Sequence, residues 1–347
     1  MQPQDTPKVL LVGLGAVGRA VGARLAGGTA ADVVGAVDLA PALTGTDLGS
    51  LIPGALPGAR VFPSLAEAPD ADVAFVATTS FIEQVEPIVD ELLGRGMNVV
   101  SICEELGFGF YDHESVARRI DERAREAGLT VLGTGCNPGI LLDTLPLLLS
   151  SLTLDVDRVT IRRTAEMSGY GGILSKFGFG LTGVEFIEQR DAGRVIGHVG
   201  FRESVAALAD GLGWTLDEIV VDDPEPILFT DHERTTSHVA LGTGTITALR
   251  HAARGYAGGR VVIDAAIDFG IFENADGFPD GDSWRIESEG QTLEFTSSRI
   301  ESAASTVAVA SNVIPSVPAA TPGLLTMADL PPKSFAAKAR ASRLVAR

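Results

Sequence analysis

Val9-Leu10-Leu11-Val12-Gly13-Leu14-Gly15-Ala16-Val17-Gly18 runs from a short apolar stretch straight into a Gly-x-Gly-x-x-Gly turn, and Arg19-Ala20-Val21-Gly22-Ala23-Arg24-Leu25 follows in helix-compatible residues. The apolar run predicts a buried strand. In such a turn the three glycines do different things. Gly13 permits the tight bend, Gly15 lets a pyrophosphate approach the backbone, and Gly18 lets the helix pack against the strand. The first amides of the helix, at Ala16 and Val17, and the positive end of its dipole then face the phosphates. Three glycines alone are a weak signal. Their place at the first strand-to-helix turn makes the signal specific.

A second strand is expected at Val33-Val34-Gly35-Ala36-Val37, ending on Asp38, 20 positions after Gly18. A carboxylate there accepts the ribose hydroxyls of an adenosine and repels a 2′-phosphate, so NAD(H) is favoured, with NADP(H) kept as the second cofactor. The competing use of Asp38 is to cap a turn before Pro41. Arg19 and Arg24 lie too close to the first helix to decide between the cofactors.

The chain has 347 residues, 45% of them hydrophobic, with 40 glycines, which suits a two-domain α/β enzyme. It carries 27 basic and 45 acidic residues, a net charge of −18. Phosphate backbones call for clustered Lys and Arg, so nucleic acid is not an expected partner. The basic tail Lys333 to Arg347 reads as a solvated end. Two cysteines, Cys103 and Cys136, make neither a disulfide framework nor a metal cluster, and no metal is expected. Residues 1–5 lack a charged-then-apolar leader, and no uncharged apolar run reaches membrane-spanning length; the expectation is a cytoplasmic protein without membrane partners.

Residues 1–150 alternate strand and helix, which predicts a doubly wound parallel sheet, a Rossmann domain. Strands are read at Ala71 to Thr78, Asn98 to Ile102 and Leu129 to Leu132, with helices at Phe81 to Arg95 and His113 to Ala127. The pattern changes near residue 151. Asp155 to Thr164, Val261 to Ile271, Ser283 to Glu287 and Gln291 to Thr296 read as half-buried strands, with helices at Arg202 to Leu212 and Ser298 to Ala310. An α+β substrate and dimerisation domain with a mostly antiparallel sheet is therefore expected over 151–310. A C-terminal segment, 311–347, is expected to return towards the first domain through the Pro-rich stretch Pro315 to Pro332.

In an open parallel sheet, ligands lie beyond the carboxyl ends of the strands. Besides the glycine turn, three such ends carry chemistry: Thr78-Thr79-Ser80, Cys103-Glu104-Glu105, and Gly133-Thr134-Gly135-Cys136-Asn137-Pro138-Gly139. Thr78, Thr79 and Asn137 are candidate cofactor contacts. A carboxylate of the Glu104-Glu105 pair, desolvated at a strand end, can have its pKa raised and work as an acid or base; the alternative is an acidic pair in water. Cys136 has no histidine near it in sequence and reads as a packed residue. Of the five histidines, His198 stands out between Gly197 and Gly200, ahead of a helix.

Several segments in chain order resemble the 2,4-diaminopentanoate dehydrogenase family, which is related to dihydrodipicolinate reductase and includes the native amine dehydrogenases. They are Ala36-Val37-Asp38, Thr46-Asp47-Leu48-Gly49, Ser101-Ile102-Cys103-Glu104-Glu105-Leu106, Asn137-Pro138-Gly139, Lys176-Phe177-Gly178-Phe179-Gly180, Gly197-His198-Val199-Gly200 through Gly213-Trp214, and Asn312-Val313-Ile314-Pro315 through Pro331. The resemblance implies reductive amination of a ketone with ammonia by a nicotinamide cofactor, or the reverse deamination. It assigns the acid/base role to Glu104, with Glu105 as the less favoured neighbour. The stretch Glu166 to Leu174 departs from the pattern expected for diamino-acid substrates, since it has no arginine, although Arg162 and Arg163 stand just before it. A carboxylated substrate calls for a guanidinium. The reading is therefore a homodimeric, NADH-preferring amine dehydrogenase for small aliphatic ketones, with Ile140, Tyr170, Leu174, Phe177 and His198 as candidate pocket residues. The alternatives are 2,4-diaminopentanoate itself, a cyclic imine as in dihydrodipicolinate reductase, and a non-catalytic NAD(H) sensor.

Overall fold

The computed structural model describes residues 6–28 and 31–332, so the basic tail at 333–347 lies outside the described residues. The described residues divide into two compact units, one formed by those up to 140 together with 303–332, the other by residues 141–302.

The first unit is built on strands β1 (Lys8–Val12), β2 (Asp32–Val37), β3 (Val61–Phe62), β4 (Val73–Val76), β5 (Asn98–Ser101) and β6 (Thr130–Gly133), with a last strand at Gly323–Leu325. All pair in parallel, in the order last strand-β6-β5-β4-β1-β2-β3. The order reverses beside β1, which makes the β1/β4 boundary the switch point where a ligand crevice opens. Successive strand residues point to opposite faces, and both faces are buried. Val9, Leu11, Val73 and Phe75 enter one core with Val21 and Leu25 of helix α1 (Ala16–Ala26). Leu10, Val12, Ala74 and Val76 enter the other, with Ile82, Val85, Val89 and Leu92 of α3 (Ile82–Gly94) and Ile120 and Ala124 of α4 (Glu114–Ala127); a single turn, α2, lies at Leu48–Leu51.

The second unit holds β7 (Arg158–Glu166), β8 (Glu218–Val221), β9 (Glu225–Phe229), β10 (Arg234–Thr235), β11 (Ala240–Leu241), β12 (Ile246–Ala257), β13 (Arg260–Gly270), β14 (Asp282–Ser288) and β15 (Gln291–Ser297). The main sheet runs β15-β14-β7-β13-β12-β8, with β9 also on β12. Its pairs are antiparallel except β7 with β13, which is parallel and had no counterpart in the sequence pattern. Three helices accompany it: α5 (Thr144–Ser150), α6 (Gly183–Asp191) and α7 (Phe201–Gly211).

The boundaries differ from those read at 150 and 310. Residues 141–150 group with the second unit because α5 packs on α7 and β14. The expected helix at Ser298 to Ala310 forms as α8 (Ser302–Val313) and serves the first unit, where Ala310, Val313, Ile314 and Val317 fill the core on the α1 side of the sheet. Among the described residues, no helix is long and apolar enough to cross a membrane.

Candidate active site

The turn after β1 has the geometry that its glycines require. Gly13 has φ +95°, and a Cβ there would stand 2.5 Å from the carbonyl oxygen of Ala77. A Cβ on Gly18 would stand 2.0 Å from the Gly13 carbonyl oxygen, so α1 can approach the turn only without a side chain. Gly15 is different: a Cβ there meets nothing within 4 Å. The protein's own packing does not require that glycine, and the space above its backbone is open. Gly15 is also the N-cap of α1, no side chain caps the helix, and its first turn carries no acid. Ala16 is exposed and Val17 half-buried. Open amides at the positive end of an 11-residue helix suit a pyrophosphate.

Asp38 follows β2 and is tied to this turn. Its Oδ2 accepts the Leu14 N–H at 2.7 Å, and its Oδ1 accepts the Ala40 N–H at 2.8 Å. The half-buried carboxylate is thus held at the lip of the glycine turn with acceptor capacity left for hydroxyl donors. The turn-capping use of Asp38 and the ribose-facing use are compatible, because the two backbone donors fix its direction. Arg19 folds back along α1, and its Nε–H donates to the Leu14 carbonyl at 2.7 Å.

Thr78 lies against the same turn, its Cγ2 3.2 Å from where a Gly13 Cβ would be. Thr79 turns instead to α3: its hydroxyl donates to Gln84 Oε1 at 2.7 Å and accepts the Phe81 N–H at 3.3 Å.

Glu104 opens a 3-10 turn, Glu104–Gly107, at the carboxyl end of β5. The turn is locked from three sides. A Cβ on Gly133 would lie 2.3 Å from the Leu106 carbonyl oxygen, and one on Gly107 would lie 2.7 Å from Pro138 Cβ, so the ends of β5 and β6 touch almost backbone to backbone. The Glu105 N–H donates to Ser80 O at 3.2 Å, and Glu105 Oε2 accepts the Ile82 N–H at 2.7 Å. His113 Nε2 stands 3.5 Å from the same oxygen. Glu105 is thus committed to the start of α3. Cys103, just before Glu104, is buried, and that burial pushes its thiol up to about 12, so it is held as a neutral thiol.

The loop after β6 carries Asn137, half-buried, with a cis bond to Pro138. α8 braces it from outside, the Cys136 N–H donating to Thr306 Oγ1 at 3.2 Å. Ile140, next in line, packs against the core on the α1 side.

The remaining candidates lie in the second unit. The structure brings Phe177 and His198 together through Phe269, at ring-centre distances of 4.9 Å and 5.9 Å. Phe177 also stacks on Phe179 and, like Leu174, is buried; both belong to the packed interior. His198 rests edge-on against Phe201 at 5.0 Å, and its Nε2 is enclosed without a hydrogen-bond partner among the described residues. Burial, then the nearby His251 and Arg163, push its pKa down to about 3, so the ring is neutral. Its backbone N–H donates to His251 Nδ1 at 3.0 Å. Tyr170 sits half-buried in a turn closed by its N–H to Met167 O at 3.0 Å. The two arginines ahead of it are engaged by aspartates: Arg162 donates to Asp264 Oδ2 at 2.8 Å, and Arg163 forms a fully buried pair with Asp282 at 3.3 Å.

Sequence reasoning missed the clamp at Glu105 and the brace from Thr306. Their partners are 23 and 170 residues away, and no local spacing announces either.

A family model described as the 2,4-diaminopentanoate dehydrogenase C-terminal domain matches residues 140–344. A 2,4-diaminopentanoate dehydrogenase from Acetoanaerobium sticklandii is 30% identical over 336 residues, 93% of this chain and 93% of the relative. Among solved structures, an amine dehydrogenase from Mycobacterium smegmatis superposes with a TM-score of 0.82 at 23% identity, over 95% of this chain and 97% of its own. A myo-inositol dehydrogenase from Lactobacillus casei, solved with NAD(H) and myo-inositol, gives 0.51 at 15% identity, over 93% and 90%. At these identities the two structures speak for the fold.

Proposed function

The chain belongs to the 2,4-diaminopentanoate dehydrogenase family, and from that premise we propose that it aminates small aliphatic ketones with ammonia, using NADH, and catalyses the reverse deamination. Membership makes it an NAD(P)-dependent oxidoreductase acting on amines. The observation that carries the finer reading is the placement of Glu104. It stands at the end of β5, two strands from the glycine turn in the order β5-β4-β1. At the usual strand spacing that is about 10 Å. A dinucleotide anchored at α1 and crossing the switch point has its reactive half near that strand end.

The residues present fit such a cofactor. Gly15 leaves room above the backbone, Ala16 and Val17 offer helix-terminal amides, and Asp38 is aimed by two N–H donors. A carboxylate so placed favours ribose hydroxyls over a 2′-phosphate, hence NADH over NADPH. Thr78, Asn137 and the backbone of Thr79, whose hydroxyl is engaged by Gln84 and Phe81, are the proposed contacts further along the strand ends. When bound, the nicotinamide supplies the hydride.

Glu104 supplies the rest. Its carboxylate takes a proton from ammonium so that neutral ammonia attacks the carbonyl, returns a proton as water leaves the carbinolamine, and as an anion stabilises the iminium that accepts hydride. In the second unit, Tyr170 and His198 are the proposed substrate-side residues. A neutral imidazole offers the substrate polarity without charge.

Glu104→Ala is expected to lower turnover by about 10²–10⁴-fold while NADH binding, read by fluorescence titration, survives. Near-normal turnover in that variant would overturn the assignment. The second reading, 2,4-diaminopentanoate as substrate, is favoured by the activity named for the 30%-identical relative. Against it, Arg162 and Arg163 are engaged by Asp264 and Asp282. Steady-state rates on that diamino acid, set beside those on ketones of graded size with ammonium, decide between the two.

A further inference from the structure

The two adjacent glutamates after β5 look equivalent in sequence. The geometry points to a division of labour: Glu105 is a positioning residue that holds Glu104 in register, through a clamp onto the segment between β4 and α3. This deepens the reading of Glu104 as the acid/base group and rests on it.

The clamp has two points on one residue. The backbone N–H of Glu105 donates to Ser80 O at 3.2 Å, and its side-chain Oε2 accepts the Ile82 N–H at 2.7 Å. Ile82 is the first residue of α3 and Phe81 its N-cap, and no side chain of the cap residue satisfies the helix. Glu105 supplies from 23 residues away the acceptor that an N-cap usually provides locally. A carboxylate at that end of a helix is also favoured by the dipole. The side chain is only 14% exposed, and His113 Nε2 stands 3.5 Å from the same oxygen.

The consequence for Glu104 is mechanical. Its turn starts at Cys103, whose N–H donates to Ser101 Oγ at 3.1 Å; that hydroxyl in turn donates to Val76 O of β4 at 3.2 Å. On the far side the turn is packed against Gly133 and Pro138 with no space for a Cβ at Gly133 or Gly107. Glu104 thus sits between a β4 anchor before it and the Glu105 clamp after it. Removing the side-chain point leaves the backbone bond to Ser80 O but loosens the turn on its α3 side, and that shifts the Glu104 carboxylate rather than removing it. A displacement of about 1 Å at a reacting group can cost about 10²-fold in rate.

The test compares Glu105→Gln, Glu105→Leu and Glu104→Gln in the full chain. Gln keeps an oxygen acceptor for the Ile82 N–H and cannot exchange a proton at working pH; Leu lacks the acceptor as well as the proton. Amide exchange over residues 81–86 reads the clamp without reference to activity. Glu105→Leu is expected to speed exchange at Ile82 about tenfold or more, with Glu105→Gln and Glu104→Gln near the parent rate. For the ketone turned over fastest with ammonium, Glu105→Leu is expected to lower kcat about 10²-fold with NADH affinity and the shape of the pH profile retained. Glu105→Gln is expected to keep most of the turnover. Loss of turnover in Glu105→Gln matching that in Glu104→Gln would show that Glu105 shares the proton chemistry, and would overturn the division. Unchanged exchange and unchanged kcat in Glu105→Leu would overturn it as well. Normal turnover in Glu104→Gln would sink the underlying assignment instead, leaving the exchange data to judge the clamp.

Discussion

The two units differ in the charge of the polar groups they bury. The first has an apolar interior on both faces of a parallel sheet and displays its chemistry on turns: the glycine turn, Asp38, Thr78, Glu104 and Asn137 all follow strand ends. The first buries uncharged polar side chains such as Asn98, Ser101 and Thr130, whereas the second takes charged and titratable groups into its interior. Arg163 and Asp282 are fully buried as a pair, His251 is 3% exposed, and Thr164, Ser204 and Thr247 lie inside with them. The difference shows where each unit is vulnerable. The first loses function when a turn is altered, whereas the second loses stability when a single buried charge or proton is disturbed.

The sharpest way to break this contrast is Asp282→Ala. The carboxylate accepts the Thr164 N–H at 3.2 Å and the Ile300 N–H at 3.0 Å besides facing Arg163. Its removal leaves a buried guanidinium facing no countercharge at that position and is expected to destabilise by about 3–5 kcal/mol, measured by denaturant unfolding. A loss under about 1 kcal/mol would mean that the interior tolerates the charge.

Acid perturbs the same interior by about 1.4 kcal/mol per ring for each pH unit. Burial pushes His198 down to about 3 and His251 down to about 4, from an ordinary histidine near 6.5. The sign follows from the direction of the shifts. Their stabilising contribution is fully present above the unfolded value near 6.5, and falls as pH drops from there towards 4, because the unfolded chain takes up protons that the folded chain refuses. Each ring is expected to remove about 1.4 kcal/mol of stability per pH unit across that window. His198→Phe should flatten the slope, and an unchanged slope in that variant would refute the assignment.

The smallest effect on stability separates two glycines of one turn. Gly18→Ala drives a Cβ to 2.0 Å from the Gly13 carbonyl oxygen and is expected to destabilise by about 1–3 kcal/mol. Gly15→Ala meets nothing within 4 Å and is expected to leave melting unchanged, while weakening NADH binding about tenfold, read by titration calorimetry. Equal melting losses in both variants would remove the ligand-based explanation for Gly15.

Legibility in the sequence followed the same divide. The alternation of apolar strands with amphipathic helices announced the first sheet, and the doubly wound order needed only short local signals. Asp38 was legible from its distance to the glycines, but not the Leu14 and Ala40 donors that aim it. Helix Ser302–Val313 was legible as a helix, whereas its service to the first core was not, because a contact partner far away in the chain leaves no local pattern. The parallel pairing of β7 with β13 was hidden for the same reason. Arg162 and Arg163 could be read as substrate-binding guanidiniums until Asp264 and Asp282 came into place beside them.

The sequence by itself determined the glycine turn with its acid, the parallel sheet, the family, and the candidacy of Glu104. Each of these depends on residues near one another in the chain, where backbone geometry and hydrophobic period act directly. The tertiary structure alone separated Glu104 from Glu105, neutralised His198, and enclosed Arg163 with Asp282. Those outcomes depend on desolvation and on donors brought from distant segments, and neither exists until the chain has closed on itself.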